Sequence, residues 1–232
     1  MTYQDHFKAC WPYEGVGYVK DGEFFPLKNL SSETHRFSVD PTQLAGIEPD
    51  ALLHSHTAGV EPHTQYDLLR SPSKTDMEQQ QAMNIPWGIC VTDGSICEDP
   101  VMFGSFEGRL PYEGREFIFN VYDCWELCRD WMYREKDVVL GTLPRNPLWN
   151  REGADLLEHT YEAYGFEKVA LKDVQAGDIL FYRVRSPVIN HVAVYIGGNQ
   201  VLGHWVGRLS CIEPFGKWAG YCEYAVRHKG TS

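Results

Sequence analysis

Apolar and polar positions change rhythm several times along the chain, and each change predicts an element. GVGYVKDGEFFPLKN (15–29) alternates on both sides of Asp21-Gly22, the pattern of a hairpin closed by a two-residue turn. DPTQLAG (40–46) reads as a short capped helix, and DALLHSH (50–56) as a buried strand. SPSKTDMEQQQAMN (71–84) sets Ser and Pro before a run of good helix formers, and PWGICVT (86–92) is again strand-like. The intervening residues 57–72 read as a long loop, a length usually associated with function. GSFEGRLPYEG (104–114) is rich in Gly and Pro and marks a boundary. Beyond it, NVYDCWELCRDWMYREKD (120–137) has helical spacing opened near Asp123, and LPRNPLWNREG (143–153) is a loop. DILFYRV, HVAVYIGG and QVLGHWV then alternate like successive antiparallel strands, and EYAVRH closes the series. The pattern predicts an α+β protein of two domains, 1–105 and 114–232, joined by a linker at 106–113.

With 43% hydrophobic and 13% aromatic residues, 232 residues can bury a real core. A net charge of −11 argues against nucleic acid or an anionic membrane as partner. The charge is uneven: residues 1–111 hold 7 basic and 16 acidic residues, residues 112–232 hold 14 and 16. The opening MTYQDHFKAC lacks the apolar core of a secretion signal, and no run is long enough to span a membrane. Seven cysteines without a C-x-x-C pair indicate neither a disulfide framework nor a zinc ribbon, so synthesis in a reducing cytoplasm is expected.

Candidate chemistry gathers at two places. His54 and His56 stand two apart in a predicted strand, so both imidazoles leave the same face. Such a pair suits one metal ion or two ordinary side chains. Catalytic zinc wants three protein ligands and an open position, and Asp76 offers a third if the loop folds back. No acid is singled out as a general base by spacing alone.

The residues from Glu14 to Asp76 resemble the JAMM (MPN-type) metallopeptidases, whose signature is a distant Glu, then H-S-H, then S-x-x-D. The resemblance implies a mixed sheet with flanking helices. It also implies Zn2+ held by His54, His56 and Asp76, with Glu14 as base and Ser73 helping to stabilise the oxyanion. The chain departs from the pattern at Thr57, where the family usually has Pro. It departs again in the longer gap before Ser73, which contains His63.

The second place is Cys124, at the first turn of a predicted helix, where the helix dipole and unpaired N–H groups favour a thiolate. A thiolate nucleophile needs a base, and His191 opens a later strand. His204 lies in the next strand, across a hairpin. Cys128, one turn further into the helix, reads as packing. Five of the seven tryptophans, at 125, 131, 149, 205 and 218, could line a carbohydrate groove or fill the core.

DCWELCRD, AGDILFYRV and NHVAVYIGGNQVLGHWVGRLS together resemble the NlpC-type, papain-like cysteine peptidases, which cut peptidoglycan stem peptides. The resemblance implies a helix packed on an antiparallel sheet. It makes Cys124 the nucleophile, His191 the base, His204 the third polar residue and Asp123 a flanking group. An ungapped alignment would put Gly203 in the third place.

A JAMM-like half followed by an NlpC-like half resembles the tail tip assembly protein K family of lambda-like tailed phages. That implies synthesis in the host cytoplasm, residence at the virion tail tip or in an assembly intermediate, and other tail-tip proteins as partners. The alternative expectation is a structural tail assembly factor or plug that keeps hydrolase folds for docking.

Overall fold

A computed structural model describes residues 1–60, 66–151, 153 and 155–231, which divide into two units, Met1–Ser105 and Phe106–Ser232. Both units combine helices with a β-sheet, so the chain is α+β.

Unit one begins with helix α1 (Tyr3–Cys10), followed by strands β1 (Val16–Lys20) and β2 (Glu23–Leu27). Asp21 and Gly22 join them with φ of 51° and 78°, as a type I′ turn requires. The predicted short helix at 40–46 is a 3-10 turn, Pro41–Leu44, capped by the Asp40 side chain. The central strand β3 (Ala51–Thr57) is buried almost throughout.

Within the segment read as one loop, residues 61–65, including His63, lie outside the described residues, and Tyr66–Leu69 form a short helix, α2. Helix α3 (Lys74–Met83) starts from a reciprocal capping box: Ser73 Oγ accepts the Asp76 N–H, and the Asp76 carboxylate accepts the Ser73 N–H. Strands β4 (Trp87–Thr92) and β5 (Val101–Phe103) complete a sheet of order β2-β1-β3-β4-β5.

Among the described residues, β3 and β4 are the strands of this sheet that pair in parallel, and the chain between them is long enough to cross over with a helix. Alternation divides the functions of β3. Leu53 joins Phe7 and Cys90 in the apolar cluster on the α1 side. His54 and His56 therefore face the other way.

Unit two opens with a segment held against helix α4 (Cys124–Lys136) by Arg109–Glu126, Arg115–Asp130 and a stacked Phe106–Tyr133 pair. Asp123 caps α4, Glu126 lies in its first turn, and Arg134 and Lys136 lie in its last, each matched to the helix dipole. After α5 (Leu156–Thr160) come β6 (Phe166–Val169), β7 (Ile179–Tyr182), β8 (His191–Gly197), β9 (Gln200–Gly203), β10 (Cys211–Pro214) and β11 (Cys222–His228). Every pairing in this sheet, ordered β10-β9-β8-β7-β11-β6, is antiparallel.

One face carries Ile179, Phe181, Val192, Val194, Leu202 and Val226 into the core formed with Trp125, Cys128 and Met132 of α4. The other face carries Leu180, Tyr182, Ala193, Val201, Trp205 and Ala225. Burial of an apolar side chain of this size contributes about 1.5–3 kcal/mol, so both faces of the central strands are strongly specified.

Candidate active sites

In unit one, the two-residue period of β3 brings the His54 and His56 Nε2 atoms to 3.2 Å. Asp76, in the first turn of α3, supplies Oδ1 at 3.8 Å from His54 and Oδ2 at 3.7 Å from His56. The capping box fixes the Asp76 backbone and side chain together, so the third group depends on the α3 start signal. His56 Nδ1–H donates to the Leu69 carbonyl at 2.7 Å, which leaves Nε2 as a lone pair facing its neighbours. Phe37 and Trp87 pack on the His54 ring at 4.9 and 5.8 Å, and His54 Nδ1 is buried without a partner.

Electrostatics separate the roles. Burial drives the His54 pKa down to about 4. Burial also opposes protonation of His56, but the Asp76 carboxylate and the Glu14 charge outweigh it and raise its pKa. Asp76 is itself desolvated, yet the two imidazoles and Ser73 hold its pKa far below the usual carboxylate range. Glu14 is buried, and desolvation pushes its pKa up to about 7. A carboxyl group poised near neutrality can take or give a proton. Ser73 is exposed, with its hydroxyl oxygen already accepting from the Asp76 N–H.

The donor set fits zinc. Two nitrogens bound to a tetrahedral zinc lie about 3.3 Å apart, close to the 3.2 Å seen between the His54 and His56 Nε2 atoms, and the Asp76 carboxylate stands beside both. Among the described residues, His54, His56 and Asp76 form a group able to hold a metal ion.

In unit two, Asp123 Oδ1 accepts the Trp125 and Glu126 N–H groups at 3.0 and 3.1 Å. Its Oδ2 accepts the Asn120 N–H at 2.8 Å and the Arg145 Nη2–H at 2.5 Å. Asp123 and Arg145 are both buried. Their pairing is the feature that the sequence does not announce, because Arg145 comes from a loop with no local pattern.

The fourfold-held Asp123 sets Cys124 at the first position of α4, and the N–H of Val192, the residue after His191, acts on its thiol electrostatically. Burial and the Asp123 charge raise the thiol pKa to about 12, against the opposing effects of Arg145 and the Val192 and Trp125 N–H groups. Cys128 is wholly buried in the core, and its pKa is pushed well above the normal thiol value.

His191 is buried, and desolvation takes its pKa to about 3 against the attraction of Asp123. Its Nε2 has no hydrogen-bond partner. Two aromatic rings surround it: Trp205 stacks at 3.7 Å and 20°, and Tyr182 lies at 5.6 Å.

His204 stands differently from its expected place. Strand β9 ends at Gly203, so His204 follows the strand instead of lying in it. The register pairs Ala193 with Gly203; continuing it sets His204 opposite Val192 and Trp205 opposite His191. The His204 ring meets Phe117 edge-on at 5.2 Å, and neither of its nitrogens makes a hydrogen bond of good geometry, although the Arg115 main chain is near. Burial lowers its pKa to about 4. The two histidines interact electrostatically but share no hydrogen bond.

Comparison with known proteins adds to this geometry. Residues 106–224 match the NlpC/P60 family. Tail tip assembly protein K of Escherichia phage N15 is 28% identical, covering 97% of this chain and 91% of its own. Tail tip assembly protein K of Escherichia phage lambda is 30% identical, covering 77% of this chain and 81% of its own. A crystal structure of a lipoprotein-like NLP/P60 family protein from Staphylococcus aureus is 20% identical over 50% of this chain and 37% of its own, with a TM-score of 0.36.

Proposed function

The chain belongs to the NlpC/P60 family and to the family of tail tip assembly protein K, and from that membership we propose that it is a phage tail-tip component with peptidase activity. Unit two cleaves peptide bonds of peptidoglycan stem peptides, with Cys124 as nucleophile and His191 as base. The observation that carries this reading is the thiol at the head of α4, beside the buried cap Asp123 whose charge acts on both Cys124 and His191. Thiol and imidazole are both neutral at rest, with pKa values near 12 and 3. The proton therefore passes from Sγ to the imidazole as the substrate carbonyl is attacked. The imidazolium then protonates the leaving amine, and water hydrolyses the thioester. His204 completes the set as the third polar residue.

Unit one is a JAMM-like zinc hydrolase of peptide or isopeptide bonds. His54, His56 and Asp76 hold the ion, supported by the 3.2 Å approach of two nitrogens and the carboxylate beside them. Zinc, when bound, supplies Lewis acidity and a water of lowered pKa. Glu14 takes the proton released in attack, and the Ser73 hydroxyl donates to the developing oxyanion.

Incubating the protein with purified peptidoglycan and identifying released peptides by mass spectrometry tests the cysteine centre. Release by wild type, abolished in Cys124→Ala and His191→Ala, is expected; equal release by Cys124→Ala would sink the assignment. A second reading, a tail assembly factor or plug that uses these folds for docking, is favoured by the burial that keeps both Cys124 and His191 uncharged. Normal plaque formation by phage carrying Cys124→Ala with His54→Ala would select it.

A further inference from the structure

We infer that Trp205 is a positioning residue for His191, with Trp218 and Glu213 as its anchor; this rests on the reading of Cys124 and His191 as a catalytic pair. A base that must receive a proton from a fixed sulfur needs its ring held in one orientation. A hydrogen bond to one ring nitrogen usually does this. Here His204 makes no such bond, and His191 Nε2 is without a partner.

The strand register supplies a different restraint. Continued two residues past the Ala193–Gly203 pair, it brings Trp205 opposite His191, and the two rings lie parallel at 3.7 Å. Parallel contact fixes the plane of the imidazole, and so the directions in which its nitrogens point. Tyr182, the β7 partner of His191, packs against both rings, at 5.6 Å from each.

Trp205 is in turn held from behind. Trp218 stacks on it at 3.9 Å and 23°. The Trp218 indole N–H donates to Glu213 Oε2 at 2.6 Å, and the same carboxylate is clamped by Arg208 and Lys217. Arg208 and Lys217 hold Glu213 well below the usual carboxylate range despite desolvation, so the clamp stays charged across the working pH range. The series Glu213–Trp218–Trp205–His191 runs from a surface ion cluster to the buried base. Gly203 fits beneath it: a Cβ there would meet the Trp205 indole nitrogen at 3.1 Å.

Two readouts on the full-length protein test the inference. The first is the histidine ring-proton NMR spectrum, in which stacking on an indole shifts the His191 C–H resonances upfield. The second is the rate of Cys124 alkylation by iodoacetamide. Trp205→Leu should remove the upfield shift and change the alkylation rate by about threefold to tenfold, the effect of losing one aromatic pair. Trp205→Phe should restore most of both. Trp218→Leu, which leaves Trp205 in place, should give a smaller change in the same direction and serves if Trp205→Leu does not fold.

Unchanged His191 resonances and alkylation rate in folded Trp205→Leu would overturn the inference. Failure of the underlying reading looks different: His191→Ala would then leave Cys124 alkylation unaltered, while the His191 shift would still respond to Trp205.

Discussion

Replacing Arg145 with methionine removes the cationic partner of a buried carboxylate at the head of α4. Asp123 and Arg145 are 1% and 3% exposed at their side chains, so little water can replace the lost contact. Breaking a buried ion pair by deleting one partner costs about 3–5 kcal/mol. Asp123 keeps its bonds from the Asn120, Trp125 and Glu126 N–H groups, which brings the expected loss to or below the lower end of that range, about 2–3 kcal/mol.

Asp123→Asn is the complementary change. Asn caps helices about as well as Asp. The substitution nevertheless leaves the Arg145 guanidinium buried, with the Leu143 carbonyl as its remaining described acceptor. That variant should lose about 3–5 kcal/mol. The double variant removes both charges and should be less destabilised than the sum of the singles by about 2 kcal/mol. Amide hydrogen exchange of α4 peptides, read by mass spectrometry, reports unit two directly. A loss of about 2–3 kcal/mol appears there as exchange faster by about 30- to 150-fold. Arg145→Met exchanging within about twofold of wild type, or singles that simply add, would refute the argument that this pair holds the nucleophile's turn.

Metal content should be about one zinc per chain by elemental analysis, lost in His54→Ala with His56→Ala. Retention should weaken as pH falls through the raised pKa of His56, because the ligand nitrogen must be unprotonated; occupancy flat down to pH 4 would contradict this. Glu14→Gln should keep the zinc while abolishing hydrolysis at that centre, checked by metal analysis beside a peptide-cleavage assay. Unit two should lose stability in acid, because His191 and His204 are held near 3 and 4 when folded against 6.5 when unfolded. Their contribution is complete above pH 6.5 and declines below it. At pH 5 the decline reaches about 2 kcal/mol per histidine as an upper value, so α4 exchange should accelerate between pH 6.5 and 5, less so in His204→Phe.

Local chemistry alone determined much of this protein. A two-residue period put His54 and His56 on one face of a strand, and the polar entry at Asp123 put Cys124 at the start of a helix. The Asp21-Gly22 turn and the alternating strands of the second half were legible for the same reason, since turns, caps and alternation are written within a few residues. Resemblance to known families then supplied Glu14 and Ser73, which no spacing singles out.

The tertiary structure decided what depends on distant pairing. Asp76 reaches the two imidazoles because β3 and β4 pair in parallel around α3, and Leu69 orients His56 from a short helix read as loop. Arg145 meets Asp123 from 22 positions along the chain, out of a loop with no local pattern. Register, too, is a long-range property, and a shift of one residue reverses every side chain. That is why the sequence pointed to His204 beside His191, while the pairing of Ala193 with Gly203 sets Trp205 against it.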